Sequence, residues 1–150
     1  MTSYLVIVNP VSGRGRARLR ADALRSGLPK SCHVEVVETG HRGAAAELAA
    51  GRATSVDRII AVGGDGTLNE VLSGLVATGR SAQELPELSF LPAGTANAAT
   101  RAFGFNSNPD ALASALPEVD SRPVDIGIVR HEGGERPFLL WFGAGSRLRP

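Results

Sequence analysis

The sequence has little of several features that would point to particular classes of protein. A single cysteine, Cys32, excludes an intramolecular disulfide and a zinc site built from cysteines. Sixteen basic residues against fifteen acidic ones give a formal net charge of +1, too balanced for a protein that binds nucleic acid through bulk charge. The longest bulky apolar run, residues 138–142, is far shorter than the roughly 18 residues of a membrane-spanning helix. The first residues lack the basic and apolar segments of a secretory signal, so we expect a cytoplasmic protein with no transmembrane segment and no nucleic-acid partner.

Glycine, by contrast, is abundant, and most of the eighteen glycines lie at the junctions of the predicted elements rather than in a repeat. Continuous apolar runs are typical of parallel strands buried on both faces, and segments with apolar residues at helical spacing separate them. Strands are predicted at 4–8, 33–37, 59–62 and 88–91, and helices at 17–28, 44–50, 67–79, 95–103 and 108–116. This alternation predicts an α/β fold, a doubly wound and mainly parallel sheet with helices on both faces.

The pattern changes after residue 117. Val124, Ile126 and Ile128 alternate with other residues at the spacing of a half-buried antiparallel strand, and Gly133-Gly134 is a turn signal before a second strand at 137–142. These residues predict a hairpin. We therefore divide the chain into an α/β nucleotide-binding domain, residues 1–120, and the incomplete beginning of a β-rich second domain, residues 121–150.

A first glycine-rich turn, Gly63-Gly64-Asp65-Gly66-Thr67, joins a buried strand directly to a helix. Glycine lets the backbone approach a ligand closely, and a helix N-terminus offers free N–H groups to phosphate. A carboxylate at Asp65 would repel phosphates, so a bridging Mg²⁺ is one interpretation and a hydrogen bond to ribose or water is another. Thr67 and Glu70 match a capping box at the start of the helix. The alternative is a tight turn that needs glycine for its geometry alone.

A second turn, residues 91–97, repeats this arrangement after another strand. Gly94 frees the backbone, Thr95 can cap a helix or contact phosphate, and Asn97 supplies both donors and acceptors. An ordinary capped helix start would explain the same residues. Since the carboxyl ends of parallel strands form the ligand crevice of such sheets, two turns of this kind predict one polyphosphate ligand across them.

Three ordered motifs together carry a family resemblance: Asn9-Pro10 with Gly13, residues 63–70, and residues 91–97. The chain resembles the catalytic domain of the diacylglycerol kinase-like lipid kinases, whose nucleotide-binding fold is shared with NAD kinases and phosphofructokinases. The resemblance implies ATP-dependent phosphorylation of a lipid hydroxyl at a membrane surface, with ATP and Mg²⁺ as cofactors and this chain as the ATP-binding part.

The resemblance also assigns site residues. It implies that Asn9, Gly13 and Thr39 approach the nucleotide and that Asp65 positions phosphate or metal as the candidate catalytic residue. The implied nucleotide-binding set is Asn9, Gly13, Thr39, Gly63, Gly64, Asp65, Gly66, Thr67, Asn69, Glu70, Gly94, Thr95 and Asn97. The metal ligands and the catalytic base are not identified.

The chain departs from the family pattern in two places. Ala98 stands where the family usually has an acidic residue, and residues 146–150 replace a continuation that includes another. In these kinases the remaining chain forms the second domain and supplies the catalytic base, so we expect a truncated protein with weak or no kinase activity alone. An NAD kinase-like enzyme and a non-catalytic nucleotide-binding fragment remain alternatives, and a homo-oligomer or a complementing chain could complete the site.

Overall fold

The computed structural model describes residues 1–139, which form a parallel sheet with helices on both faces followed by a hairpin. The strands are Ser3–Val8 (β1), His33–Glu38 (β2), Arg58–Gly63 (β3), Glu87–Pro92 (β4), Gly127–His131 (β5) and Gly134–Phe138 (β6). The helices are Arg16–Gly27 (α1), Ala44–Arg52 (α2), Asp65–Ala77 (α3), Ala98–Phe103 (α4) and Pro109–Ala115 (α5), with short 3₁₀ turns at Ser12–Gly15 and Ala82–Glu84. The predicted α/β class is confirmed.

The main sheet has the strand order β2-β1-β3-β4, and every pairing in it is parallel. All six residues of β3 are buried, as are five of the six in β1, because both strands are central and covered on both faces. Parallel strands need crossovers, and a helix occupies each crossover between consecutive strands of this sheet.

The helices form one layer on each face of the sheet. On one face α1 packs against α5, and both contribute to a core with alternate residues of β1 and β3. On the other face α2 packs against α3 so closely that a Cβ added to Gly74 would lie 2.1 Å from the carbonyl oxygen of Ala46. Small residues at this contact therefore determine how closely the second layer covers the sheet. Among residues 1–139, no helix is both long and apolar enough to cross a membrane.

The predicted hairpin is confirmed, but its boundaries differ. β5 begins at Gly127, so Val124 and Ile126 precede the strand and are exposed instead of forming its first half-buried positions. β6 begins at Gly134 and pairs antiparallel with β5, and it contacts α3. The predicted strand residues 140–142 lie outside the described part of the chain, and the division at residue 120 stays a prediction.

Helix α4 begins at Ala98, three residues later than predicted. Asn97 adopts a left-handed backbone conformation, with φ 45° and ψ 50°, which cannot continue a right-handed helix. The turn after β4 is therefore longer than its sequence indicates.

Candidate functional site

The loops after β1, β3 and β4 meet at the carboxyl edge of the sheet. The chain leaves β1 toward β2 on one side and later returns to β3 on the other, so the topological switch point lies between β1 and β3. In open α/β sheets the ligand crevice forms outside the strand ends at such a switch point. The strand order alone thus singles out this place.

The two glycine-rich turns are in direct contact. A Cβ added to Gly94 would lie 2.7 Å from the Cα of Gly64, and the backbone N–H groups of Ala93 and Gly94 donate to the Gly63 carbonyl at 2.6 and 3.1 Å. The loop after β1 also contacts the second turn. Gly13 in this loop has a φ of +61°, and a Cβ added to it would lie 2.2 Å from the Ala93 carbonyl oxygen. No side chain larger than hydrogen fits at Gly13 or Gly94 without moving backbone.

The predicted capping box is wrong, because α3 begins two residues before Thr67. The N-cap is Gly64, and the side chains of Thr67 and Glu70 have other partners. Thr67 is buried and its Oγ1 accepts a hydrogen bond from Asn9 Nδ2 at 3.3 Å, while the Glu70 carboxylate accepts one from the Gly43 N–H at 3.1 Å. Thr67 therefore connects α3 to the loop after β1, and Glu70 connects it to the start of α2.

The first turn of α3 presents backbone donors to solvent. The N–H groups of Thr67 and Leu68 donate to the Gly64 carbonyl, and those of Asp65 and Gly66 precede them at positions with no partner inside a helix. Gly66 is exposed, and a Cβ added there would meet nothing within 4 Å. This surface combines free donors, the positive end of a helix and open space, the requirements of a phosphate site.

The Asp65 carboxylate points toward the second turn. Its Oδ2 accepts a hydrogen bond from the N–H of Ala98 at 2.8 Å, and its Oδ1 accepts one from the N–H of Ala99 at 3.0 Å. A side chain of α3 therefore caps the N-terminus of α4. Sequence reasoning missed this contact, because the partners are 33 and 34 positions apart and no local pattern connects them.

Asn97 shapes the second turn. Its Nδ2 donates to the Gly94 carbonyl at 2.8 Å, and its Oδ1 is buried without a hydrogen-bond partner among the described residues. Thr95 is exposed at the tip of the turn. A buried acceptor without a protein partner is costly and is usually satisfied by water or a ligand.

A cleft of about 500 Å³ opens beside the first turn, between the loops that follow β1, β2 and β3. Six of the predicted site residues line it: Asn9, Thr39, Gly64, Gly66, Thr67 and Glu70. The remaining lining was not among the predicted site residues: Pro10, Val11, Ser12, Gly40, His41, Arg42 and Ala45. Asn69 is exposed on α3 and does not line this cleft. The other predicted site residues outside the lining are Gly13, Gly63, Asp65, Gly94, Thr95 and Asn97.

A larger cavity, about 620 Å³, lies at the opposite edge of the sheet. It is lined by charged residues that include Asp57, Arg58, Glu84 and Glu87 and by none of the predicted site residues. Because it is at the amino ends of the strands and lacks a glycine-rich turn, we assign the functional site to the smaller cleft.

A family model described as diacylglycerol kinase catalytic domain matches residues 3–129. The chain belongs to this family. A diacylglycerol kinase of Bacillus subtilis is 34% identical over 96% of this chain and 49% of its own length. A diacylglycerol kinase of Mycobacterium tuberculosis is 31% identical over 91% of this chain and 42% of its own length. This member of the diacylglycerol kinase catalytic domain family thus spans about half the length of the curated relatives it matches.

Solved structures of the family show the same fold. A diacylglycerol kinase from Bacillus anthracis superposes with a TM-score of 0.68 at 27% sequence identity, over 89% of this chain and 45% of the other. The sheet with its flanking helices and hairpin is therefore the architecture of a diacylglycerol kinase catalytic domain.

The groups at this edge of the sheet suit phosphate oxygens better than a metal ion held by protein side chains alone. The open surface at Gly66 and the free N–H groups suit phosphate oxygens. Residues 1–139 contain no group of three or more histidine, cysteine, aspartate or glutamate side chains that could hold a metal ion. Mg²⁺ commonly uses one or two carboxylates together with substrate phosphates, so a Mg²⁺ at this edge would need phosphate oxygens as further ligands.

Proposed function

We propose that this chain is the ATP-binding part of a lipid kinase. The observation that carries the proposal is the contact between Gly64 and Gly94, which places the two glycine-rich turns against each other beside the start of α3. The family match to residues 3–129 supports phosphoryl transfer as the chemistry, and the names of the relatives support a lipid acceptor such as diacylglycerol.

In this proposal the triphosphate lies on the first turn of α3, between Gly64 and Gly66 on one side and Asn97 on the other. The nucleoside occupies the cleft, where Asn9 and Thr39 offer polar groups at the ends of β1 and β2. Phosphoryl transfer depends mainly on positioning and on neutralising charge, which backbone N–H groups, a helix N-terminus and Mg²⁺ can supply together.

The acceptor side is proposed to lie in a second, β-rich domain that begins near residue 121. Four large apolar side chains between residues 119 and 128 are at least 36% exposed: Val119, Val124, Ile126 and Ile128. Exposed apolar side chains clustered in one segment indicate a surface that another part of the protein or a partner covers. Because the acceptor side is proposed to lie outside this chain, we expect the chain alone to transfer phosphate slowly or not at all. It should still bind Mg·ATP, and we place it in the cytoplasm.

Isothermal titration calorimetry with Mg·ATP tests the binding. We expect saturable heat for one site and none with Mg²⁺ alone. A sample with a cooperative thermal transition but no heat from Mg·ATP would contradict the proposal.

A phosphoryl-transfer assay with labelled ATP separates the candidate functions. Diacylglycerol, sphingosine and NAD are offered in parallel, to the chain alone and to a full-length relative. With the chain alone, label on a lipid supports the lipid kinase and label on NAD favours the NAD kinase-like alternative. Binding without transfer to any acceptor agrees both with the ATP-binding part of a kinase and with a non-catalytic fragment, and it excludes only a chain that is active alone.

A further inference from the structure

Helix α4 is capped by a side chain from another helix. Its own N-cap residue, Asn97, makes no side-chain capping bond, and the N–H groups of Ala98 and Ala99 donate instead to the two oxygens of Asp65. A carboxylate at a helix N-terminus forms charge-assisted hydrogen bonds and also interacts favourably with the helix dipole. Asp65 is the first residue of α3, so one side chain joins the starts of two helices.

These bonds anchor one end of the second turn, and the first turn anchors the other. At the entry, the N–H groups of Ala93 and Gly94 donate to the Gly63 carbonyl. At the exit, Asp65 holds Ala98, which leaves only residues 95–97 between the anchored positions. The residues of the first glycine turn therefore determine where Asn97 and its buried, unpartnered Oδ1 lie.

The same bonds constrain what Asp65 can do for a ligand. Each of its oxygens accepts one backbone donor, at 2.8 and 3.0 Å, which fixes the carboxylate's orientation and leaves one further lone pair on each oxygen. Its negative charge faces the N-terminus of α4. An uncompensated carboxylate beside a triphosphate would repel it, whereas a carboxylate paired with a helix N-terminus repels it less.

We propose that Asp65 is a positioning residue, which holds the second glycine turn against the first and does not ligate the metal. The proposal rests on the proposed function for the identity of the ligand, since it states how the two turns come to bind one triphosphate. The hydrogen bonds that define it, however, are properties of the protein without nucleotide.

Substitution at Asp65 with and without metal separates the two roles. Asp65→Asn keeps the shape but exchanges one acceptor oxygen for a donor, so one of the two capping bonds is lost. We expect affinity to fall by about tenfold for Mg·ATP and for metal-free ATP alike, since both need the aligned turns. A loss confined to Mg·ATP, or no loss with either form, would overturn the proposal.

Two further variants sharpen this comparison. Asp65→Glu retains the charge and a metal-binding group but places them about one methylene farther out, so we expect no recovery of affinity. Recovery with Mg·ATP alone would indicate a metal ligand. Asp22→Asn removes an exposed carboxylate from α1 and serves as the control, with both affinities unchanged.

Amide signals test the positioning directly, without nucleotide. In Asp65→Asn we expect hydrogen exchange to accelerate by about tenfold at whichever of the Ala98 and Ala99 amides loses its acceptor, and unchanged protection at both would overturn the proposal. In the unaltered chain, Mg²⁺ alone should leave both amide resonances in place, and a shift would indicate metal at Asp65. The exchange measurement decides the role of Asp65 even if calorimetry rejects ATP binding, and the Mg²⁺ titration of the unaltered chain needs no folded variant.

Discussion

The two edges of the parallel sheet are held together by different kinds of contact. At the amino edge, charged side chains connect the strands: the guanidinium of Arg58 is buried and binds Glu87 and the carbonyls of Leu116 and Val119. At the carboxyl edge, two backbone hydrogen bonds and the Asp65 carboxylate join the two glycine turns, and open space remains at Gly66. One edge uses its polar groups to hold the chain together, and the other leaves N–H groups free.

This difference implies a division between stability and binding. The buried Arg58 guanidinium makes four hydrogen bonds with its five N–H donors, so few of them are left for a ligand. Free N–H groups at a helix start lower the stability of the fold but are available to a ligand. We therefore expect substitutions at the amino edge to change the free energy of unfolding with little effect on ATP affinity. Substitutions in the open part of the carboxyl edge should change ATP affinity with little loss in the free energy of unfolding.

Arg58→Ala should have the largest effect. It leaves the half-buried Glu87 without its charge partner and frees two carbonyl groups, so the free energy of unfolding should fall by about 3 kcal/mol or more. Urea unfolding followed by circular dichroism measures this change. Arg25→Ala, at an exposed position on α1, is the matched control and should cost less than about 0.5 kcal/mol. If Arg58→Ala unfolded no more easily than its control, the amino edge would not be a stabilising contact.

Gly94→Ala should have the second-largest effect. Gly94 is at the carboxyl edge, but the backbone of Gly64 packs directly against it. The new Cβ would lie 2.7 Å from the Cα of Gly64, and neither backbone can yield without moving a turn. We expect a loss of about 1–3 kcal/mol in unfolding free energy, together with weaker Mg·ATP binding. Thermal denaturation and calorimetry on the same sample measure both. Unchanged stability and affinity would show that the two turns need not touch.

Gly66→Ala should separate binding from stability. Gly66 lies in the first turn of α3 with nothing within 4 Å of an added Cβ, so alanine should raise the unfolding free energy by about 0.5–1 kcal/mol. The same methyl group occupies the space proposed for phosphate, and we expect Mg·ATP affinity to fall by about tenfold.

Gly51→Ala is the matched control for this position. Gly51 also lies in a helix with open space at its Cβ, but far from the cleft lining. It should gain similar stability and keep its affinity for Mg·ATP. Equal affinities for the two alanine variants would contradict the placement of phosphate at Gly66.

Much of the fold could be predicted from the sequence because buried parallel strands have an unmistakable local pattern. The apolar run that forms β1 and the glycines that end β3 are local signals, and both gave boundaries within a residue or two. The start of α3 was wrong because a T-x-x-E pattern describes local geometry, whereas the Thr67 and Glu70 side chains bond to groups far away in the chain.

The candidate site could be predicted less completely for the same reason. Each glycine turn is a local motif, and the parallel sheet explains why the two meet. The contact of Asp65 with Ala98 and the left-handed conformation of Asn97 depend on how two helices approach each other, which no spacing in the sequence encodes.

The smallest effect is expected at the end of the amino edge, where Ser3 meets Asp57. The Ser3 hydroxyl, and then its backbone N–H, donate to Asp57 Oδ2, each at 2.7 Å, and these bonds lower the pKa of the carboxyl. A lowered pKa stabilises the folded state above the carboxyl's ordinary value of about 4 and loses that contribution as the pH falls through the folded-state pKa. Ser3→Ala should therefore cost less than about 1 kcal/mol at pH 7, since Asp57 is exposed, and part of this cost should disappear on acidification.

Urea unfolding at pH 7 and at successively lower pH measures this dependence, and a double-mutant cycle isolates it. In an Asp57→Asn background the carboxyl is gone, so Ser3→Ala should cost the same at every pH, through the remaining bond from the residue 57 N–H to the Ser3 hydroxyl. A Ser3→Ala cost that grows as the pH falls, or one that keeps its pH dependence without Asp57, would mean that another group titrates at this edge. Mg·ATP affinity should stay constant throughout the cycle, because the amino edge is proposed to stabilise the fold and not to bind the nucleotide.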